Sequence, residues 1–259
     1  MSEVKLIQGD CLKVMQDLIA DGVKVDLIVT DPPYGITDNK WDNIISFELM
    51  WECIKQIRSD KKTPILFFAS QPFTSKLVMS NLKWFRYEWI YQKASGSNFG
   101  VVKYQPRKDH EEILVFGEKA PYYYPIMEER KGSGLSRVQY GKIKFGDKVS
   151  DNYGNMKHQA FEKFYGDLRY PSSVQYFNNR GKGSRGLHPN QKPVELLEYL
   201  IKTYSNENDT VLDFTMGSGS TGVACLQTNR NFIGIELEPK YYEIAEQRIN
   251  EAKAQRRLI

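Results

Sequence analysis

At 259 residues, 41% hydrophobic and 26% charged, the chain has the composition of an ordinary soluble globule, long enough for one large core or a core plus an insertion. No apolar run reaches membrane-spanning length, Met1-Ser2-Glu3 opens no signal peptide, and Cys11, Cys53 and Cys225 form no CxxC pair. Membrane, disulfide-framework and zinc classes are thereby excluded and a cytoplasmic protein is expected. The net charge of +4 is concentrated, with 13 Lys/Arg against 7 Asp/Glu in residues 118–188 and 23 against 25 elsewhere, which suits a polyanion partner for the central segment.

In chain order, Val4 to Gly9 reads as a short strand turned by Asp10-Cys11 into a helix over residues 11–20. A second strand covers 25–30. Phe47, Met50, Trp51, Ile54 and Ile57 follow Ser46 at helical spacing, with Ser46 as N-cap. Pro64 to Ala69 is a buried strand, 74–81 a short helix, and 85–91 and 113–116 two further strands, expected to be antiparallel neighbours. This alternation is the signature of a parallel sheet. From Glu118 it stops, and Tyr, Gly, Asn and basic residues dominate to about 187. Regular structure resumes with a helix from Pro193 to Tyr204, a strand at 210–214, a helix to Gln227, a strand at 231–236 and a final helix from Pro239.

Val25-Asp26-Leu27-Ile28-Val29-Thr30 runs into Asp31-Pro32-Pro33-Tyr34. Two prolines cannot continue a ladder, so the strand must end at Asp31 in a stiff corner that carries an acid, a carbonyl and a ring. In open α/β sheets that edge binds ligands. Gly217-Ser218-Gly219-Ser220-Thr221-Gly222 matches GxGxxG between a predicted strand and helix, and Glu236 ends the next strand 19 residues beyond Gly217. A carboxylate there can accept from both hydroxyls of a ribose, which points to an adenosine-containing cofactor without choosing between NAD, FAD and S-adenosylmethionine.

Together these pieces resemble the S-adenosylmethionine-dependent DNA amino-methyltransferases. Asp31-Pro32-Pro33-Tyr34 is similar to that family's catalytic motif, and Asp213-Phe214 with Gly217, Gly219 and Gly222 to its cofactor loop. The order, with His188-Pro189-Asn190-Gln191-Lys192-Pro193 between them, resembles the circularly permuted beta group. The resemblance implies a Rossmann-like class I methyltransferase fold, with a seven-stranded, mostly parallel sheet and helices on both faces. It divides the chain into a catalytic domain at 1–117 and 188–259 and an inserted target-recognition region at 118–187. It places Gly9, Asp10, Cys11 and Glu236 beside the adenosine of S-adenosyl-L-methionine, Asp213, Phe214 and the glycines on its methionine side, and Lys192 near its carboxylate, with Asp31 also among the cofactor-binding residues.

The implied partner is double-stranded DNA; a homodimer and a companion restriction endonuclease are admitted but not required. Asp31 and the Pro32 carbonyl would accept the two hydrogens of a nucleobase amine, freeing its lone pair for direct transfer, while Tyr34 stacks on the flipped base. An aspartate in first place favours adenine N6, with cytosine N4 as the alternative. In the insert, Arg169, Asn178, Asn179, Arg180, Lys182 and Arg185 are candidate DNA contacts. No metal site is expected. The rival readings are an NAD-dependent dehydrogenase, which leaves the DPPY corner unused, and a DNA-binding relative without catalysis.

Overall fold

The structure is a computed structural model in which residues 2–35, 43–132, 135, 167–179 and 191–256 are described. They divide into two compact units, Met1–Tyr124 with Ser173–Ile259, and Pro125–Ser172.

The first unit is an α/β layer structure. Its strands are β1 (Val4–Gln8), β2 (Leu27–Thr30), β3 (Ile65–Ala69), β4 (Phe85–Ser97), β5 (Lys108–Phe116), β8 (Val174–Phe177), β9 (Thr210–Asp213) and β10 (Asn231–Glu236). Its helices are α1 (Cys11–Ala20), α2 (Phe47–Ile57), α3 (Phe73–Ser80), α4 (Val194–Tyr204), α5 (Ser220–Gln227) and α6 (Pro239–Arg256). One sheet carries all eight strands in the order β1-β10-β9-β2-β3-β5-β4-β8, and only β5 runs against its neighbours.

Burial on both faces explains the unbroken apolar strands. On β3, Ile65, Phe67 and Ala69 face the core shared with α1, α2 and α3, whereas Leu66 and Phe68 face the core shared with α4, α5 and α6. α1 starts at Cys11 because the Asp10 carboxylate accepts from the Leu12 and Lys13 amides at 3.0 and 3.1 Å. Strand order reverses between β9 and β2, since the chain steps from β9 to β10 on one side and from β2 to β3 on the other. That reversal opens a crevice at the carboxyl ends of β2 and β9, where both sequence motifs emerge.

The sheet has eight strands where seven were expected. The extra strand, β8, comes from the 118–187 segment and pairs in parallel with β4 from Ile90↔Val174 to Lys93↔Phe177. An uncovered β4, thirteen residues long, would present an open ladder edge, and β8 closes the stretch from Ile90 to Lys93. The separate unit, Pro125–Ser172, is narrower than the expected insert, because 118–124 and 173–179 belong with the sheet. Its described part holds a two-residue antiparallel pair, β6 (Glu128–Glu129) with β7 (Leu168–Arg169).

Candidate functional site

β2 is wholly buried and delivers Asp31 to the crevice, while the Thr30 hydroxyl shares a 2.7 Å hydrogen bond with the Thr215 hydroxyl just beyond β9. This tie fixes the two motif-bearing loops to each other. Within the corner, the Tyr34 hydroxyl donates to Asp31 Oδ1 at 2.5 Å, and the ring stacks on Phe73 with centroids 5.0 Å apart. Burial, reinforced by the carboxylates of Asp31 and Glu111, pushes the Tyr34 phenol well above its ordinary pKa, so it remains a neutral donor.

Asp31 Oδ2 receives Lys192 Nζ at 2.5 Å, and the same ammonium lies 3.2 Å from Glu111 Oε2 and 4.9 Å from the Phe68 ring centre. Glu111 in turn pairs with Lys93. The four groups form an alternating chain, Asp31–Lys192–Glu111–Lys93, with Lys192 only 9% exposed. Burial acts to lower the Lys192 pKa, but the two carboxylates outweigh it and hold the ammonium charged. Burial likewise acts to raise Glu111, and the two lysines outweigh it and bring the carboxyl down to about 2. Tyr91, opposite Glu111 in register, has a buried hydroxyl with no hydrogen-bond partner among the described residues.

On the other side, Asp213 ends β9 and accepts from the Thr221 hydroxyl at 2.6 Å and the Thr215 amide at 3.1 Å. Burial is the main cause of its rise to about 7, and the nearby Asp31 charge adds to it. Glu236 ends β10 and accepts from the Gly217 amide at 2.8 Å and the Glu238 amide at 2.9 Å; burial raises it too. Gly217 needs its glycine for a φ of +53°. Gly219 takes a φ of +75° as well, and packing adds to the need for glycine there and at Gly222. A Cβ on Gly219 would meet Ala245 at 2.9 Å, and one on Gly222 would meet Ile249 at 2.5 Å and Phe232 at 2.7 Å. Arg248 of α6 clamps the loop through the carbonyl and hydroxyl of Ser218, and Gln191 reaches the same hydroxyl at 3.4 Å.

A cavity of about 1220 Å³ joins these parts. Asp31, Pro32, Pro33 and Tyr34 line it together with Asp10, Cys11, Lys192, Asp213, Phe214, Gly217 and Glu236, and Gly9 is at its wall. Gly219 and Gly222 are not on this wall; they hold α5 against α6 and β10. Cys11, the one cysteine on the wall, is pushed up to about 12 by burial and then Asp10, so it is a protonated thiol at neutral pH rather than a nucleophile.

Of the expected DNA contacts, Arg169 lies in the Pro125–Ser172 unit and pairs with Glu128 at 2.9 Å. Asn178 is exposed after β8. Asn179 lines the cavity, but its amide is committed to the Ser95 backbone, accepting from the N–H at 3.1 Å and donating to the carbonyl at 3.0 Å. Arg180, Lys182, Arg185 and His188 lie outside the described residues. Sequence reasoning passed over Lys93, Glu111 and Arg248. The only signal for the first two was charge on inward strand positions, and for Arg248 its place on the helix face between Ala245 and Ile249. Among the described residues no group of His, Cys, Asp or Glu could hold a metal ion, and no helix is long and apolar enough to cross a membrane.

Comparison with known proteins agrees with this geometry. The chain is 29% identical over 262 residues to the type II methyltransferase M.HpaI of Haemophilus parainfluenzae, covering 95% of this chain and 74% of that protein. It is 28% identical over 271 residues to the DNA adenine methyltransferase YhdJ of Escherichia coli (strain K12), covering 95% and 83%. Among solved structures, that of the M1.HpyAVI-SAM complex superposes with a TM-score of 0.63 over 95% of this chain and 99% of that one; at 24% identity this likeness concerns the fold alone. The DNA methylase family, N6_N4_Mtase, matches residues 25–247. With that match running from β2 into α6, through both walls of the cavity, the chain belongs to the DNA methylase family.

Proposed function

We propose that this DNA methyltransferase is site-specific and transfers a methyl group to the exocyclic N6 of adenine flipped out of duplex DNA. The observation that carries the reading is the single cavity shared by the Asp31–Tyr34 corner and the 213–221 loop. S-adenosyl-L-methionine supplies an electrophilic methyl carbon attached to a positively charged sulfur. The residues present fit this group: Asp10 and Glu236 would hold the adenosine, and Asp213, Phe214 and Gly217 the methionine side. Lys192 donates to Asp31 and sits in ion-pair range of Glu111, which leaves a donor for the cofactor carboxylate.

Asp31 and the Pro32 carbonyl then each accept one amine hydrogen, which draws the nitrogen lone pair out of conjugation. The bound cofactor would supply the methyl and keep the S–C electron pair on sulfur, and Asp31 would be the base placed to take the proton the nitrogen sheds. Tyr34, backed by Phe73, supports the base by stacking, worth about 1–3 kcal/mol. Positioning of this kind can supply roughly 7–11 kcal/mol of the barrier reduction. Asp31 at the head of the motif and the relative named as an adenine methyltransferase support adenine. Cytosine N4 is the second reading, because the family description spans both amines. Modified-base sequencing of DNA from cells expressing the chain tests this. N6-methyladenine at one short site is expected, N4-methylcytosine would move the target base, and unmodified DNA would overturn the reading.

A further inference from the structure

β4 and β5 outrun the sheet. β3 pairs with β5 only from Glu112 onward and β8 pairs with β4 only as far as Lys93, yet β4 runs to Ser97 and β5 begins at Lys108. The two strands therefore leave the Asp31 edge as a ribbon, braced at Ser95 by Asn179 and closed by residues 98–107. Its tip is firmly built. Asn98 takes a φ of +64°, and its side chain donates to the Pro106 carbonyl at 3.2 Å and accepts from the Lys108 amide at 2.8 Å. The Val101 amide donates to the Asn98 carbonyl at 3.1 Å, and the Tyr104 amide to the Val101 carbonyl at 2.9 Å. At Gly96 a Cβ would fall 2.7 Å from the Arg107 side chain, so the glycine lets the ribbon close.

This ordered tip exposes side chains that folding normally covers, with Phe99 63%, Val102 47% and Tyr104 88% accessible. Residues 97–108 include Lys103, Arg107 and Lys108 and no carboxylate. Ser97, Asn98, Phe99 and Gln105 wall the same cavity as Asp31 and Tyr34. An exposed, aromatic tip whose only charges are basic, on the wall of the proposed catalytic cavity, matches a polyanion that must open there.

We infer that the 98–107 tip is a wedge that enters the DNA duplex at the target pair. Phe99 and Tyr104 fill the stack vacated by the extruded base, and Lys103 and Arg107 hold the flanking phosphates. The inference rests on the methyltransferase reading above and adds to it the means of opening the duplex.

The test uses oligonucleotide duplexes that carry the site found by sequencing, one fully matched and one with an abasic position opposite the target base. Methyl transfer is timed for the unaltered enzyme and for Phe99→Ser/Tyr104→Ser. Both positions are exposed, so the variant should keep its melting temperature. On the matched duplex the variant should be slower by roughly tenfold or more, because the stacking it supplies is lost. On the abasic duplex, where extrusion is already easy, it should come within about twofold of the unaltered enzyme. Equal slowing on both duplexes, or no slowing on the matched one, overturns the wedge. If the unaltered enzyme methylates neither, the methyltransferase reading itself has failed, an outcome visible before any substitution is compared.

Discussion

Asp31 is held from two sides, by the Tyr34 hydroxyl and the Lys192 ammonium, so in the proposed reaction its carboxylate would meet a substrate amine already oriented. Replacing Lys192 by Met should leave Asp31 and Glu111 facing each other without their shared cation. Removing one partner of a largely buried ion pair costs about 3–5 kcal/mol, and denaturant titration should show a loss of that order with methyl transfer reduced as well. Stability unchanged by Lys192→Met would show that the pair is solvent-screened. Asp213 gives a pH signature. Its folded-state pKa is raised to about 7 from an ordinary 3.8, so its contribution to stability is full below the ordinary value and is lost as pH rises towards 7. Glu111, lowered to about 2 from 4.5, works in the opposite sense, and its contribution is lost as pH falls below about 4.5. Stability measured across this range should therefore decline less from pH 4 to 7 in Asp213→Asn than in the unaltered protein; parallel curves would contradict the buried-acid account. At this scale the motif carboxylates were legible because each sits beside a strand end or turn that names its place. Glu111 and Lys93 were not, since the partner Lys192 is about eighty residues and more away and only sheet register brings the three together.

The glycine loop owes its shape as much to α6 as to any ligand. Gly222→Ala would set a methyl 2.5 Å from Ile249 and 2.7 Å from Phe232, forcing α5 away from α6 and β10. Overpacking of this kind costs about 1–3 kcal/mol, so the melting temperature should fall by several degrees and cofactor affinity should weaken as the loop shifts. A variant with unaltered melting would mean that Ile249 can give way. The strands and helices of the sheet were readable from period and punctuation, because strands buried on both faces leave continuous apolar runs and the helices carry clear apolar stripes. β8 was not readable. Val-Gln-Tyr-Phe is four residues long among Ser and Asn, and it becomes a strand only because β4 offers it an open edge. The 98–107 tip was missed for the complementary reason: its apolar residues lie in a turn, where no periodicity marks them.

Across the whole molecule, the groups proposed for catalysis and cofactor binding gather at the carboxyl ends of β2, β9 and β10, and the excess positive charge falls in residues 118–188. If that segment grips the phosphate backbone, Lys182→Gln/Arg185→Gln should weaken DNA binding and flatten its dependence on salt, by about 0.9 in slope for each phosphate no longer neutralised. An unchanged slope would take those two side chains out of the interface. Everything else depends on the carboxylate at the Pro-Pro corner accepting an amine in the cavity it shares with the glycine loop. The most direct measurement follows tritiated methyl from S-adenosyl-L-methionine into duplex DNA, with nucleoside chromatography, for the unaltered enzyme and Asp31→Ala, and with cofactor binding measured by calorimetry for both. The prediction is label in N6-methyladenine with the unaltered enzyme and none with Asp31→Ala, although the variant still binds cofactor; undiminished turnover by Asp31→Ala, or label on a ring carbon of cytosine, would contradict it.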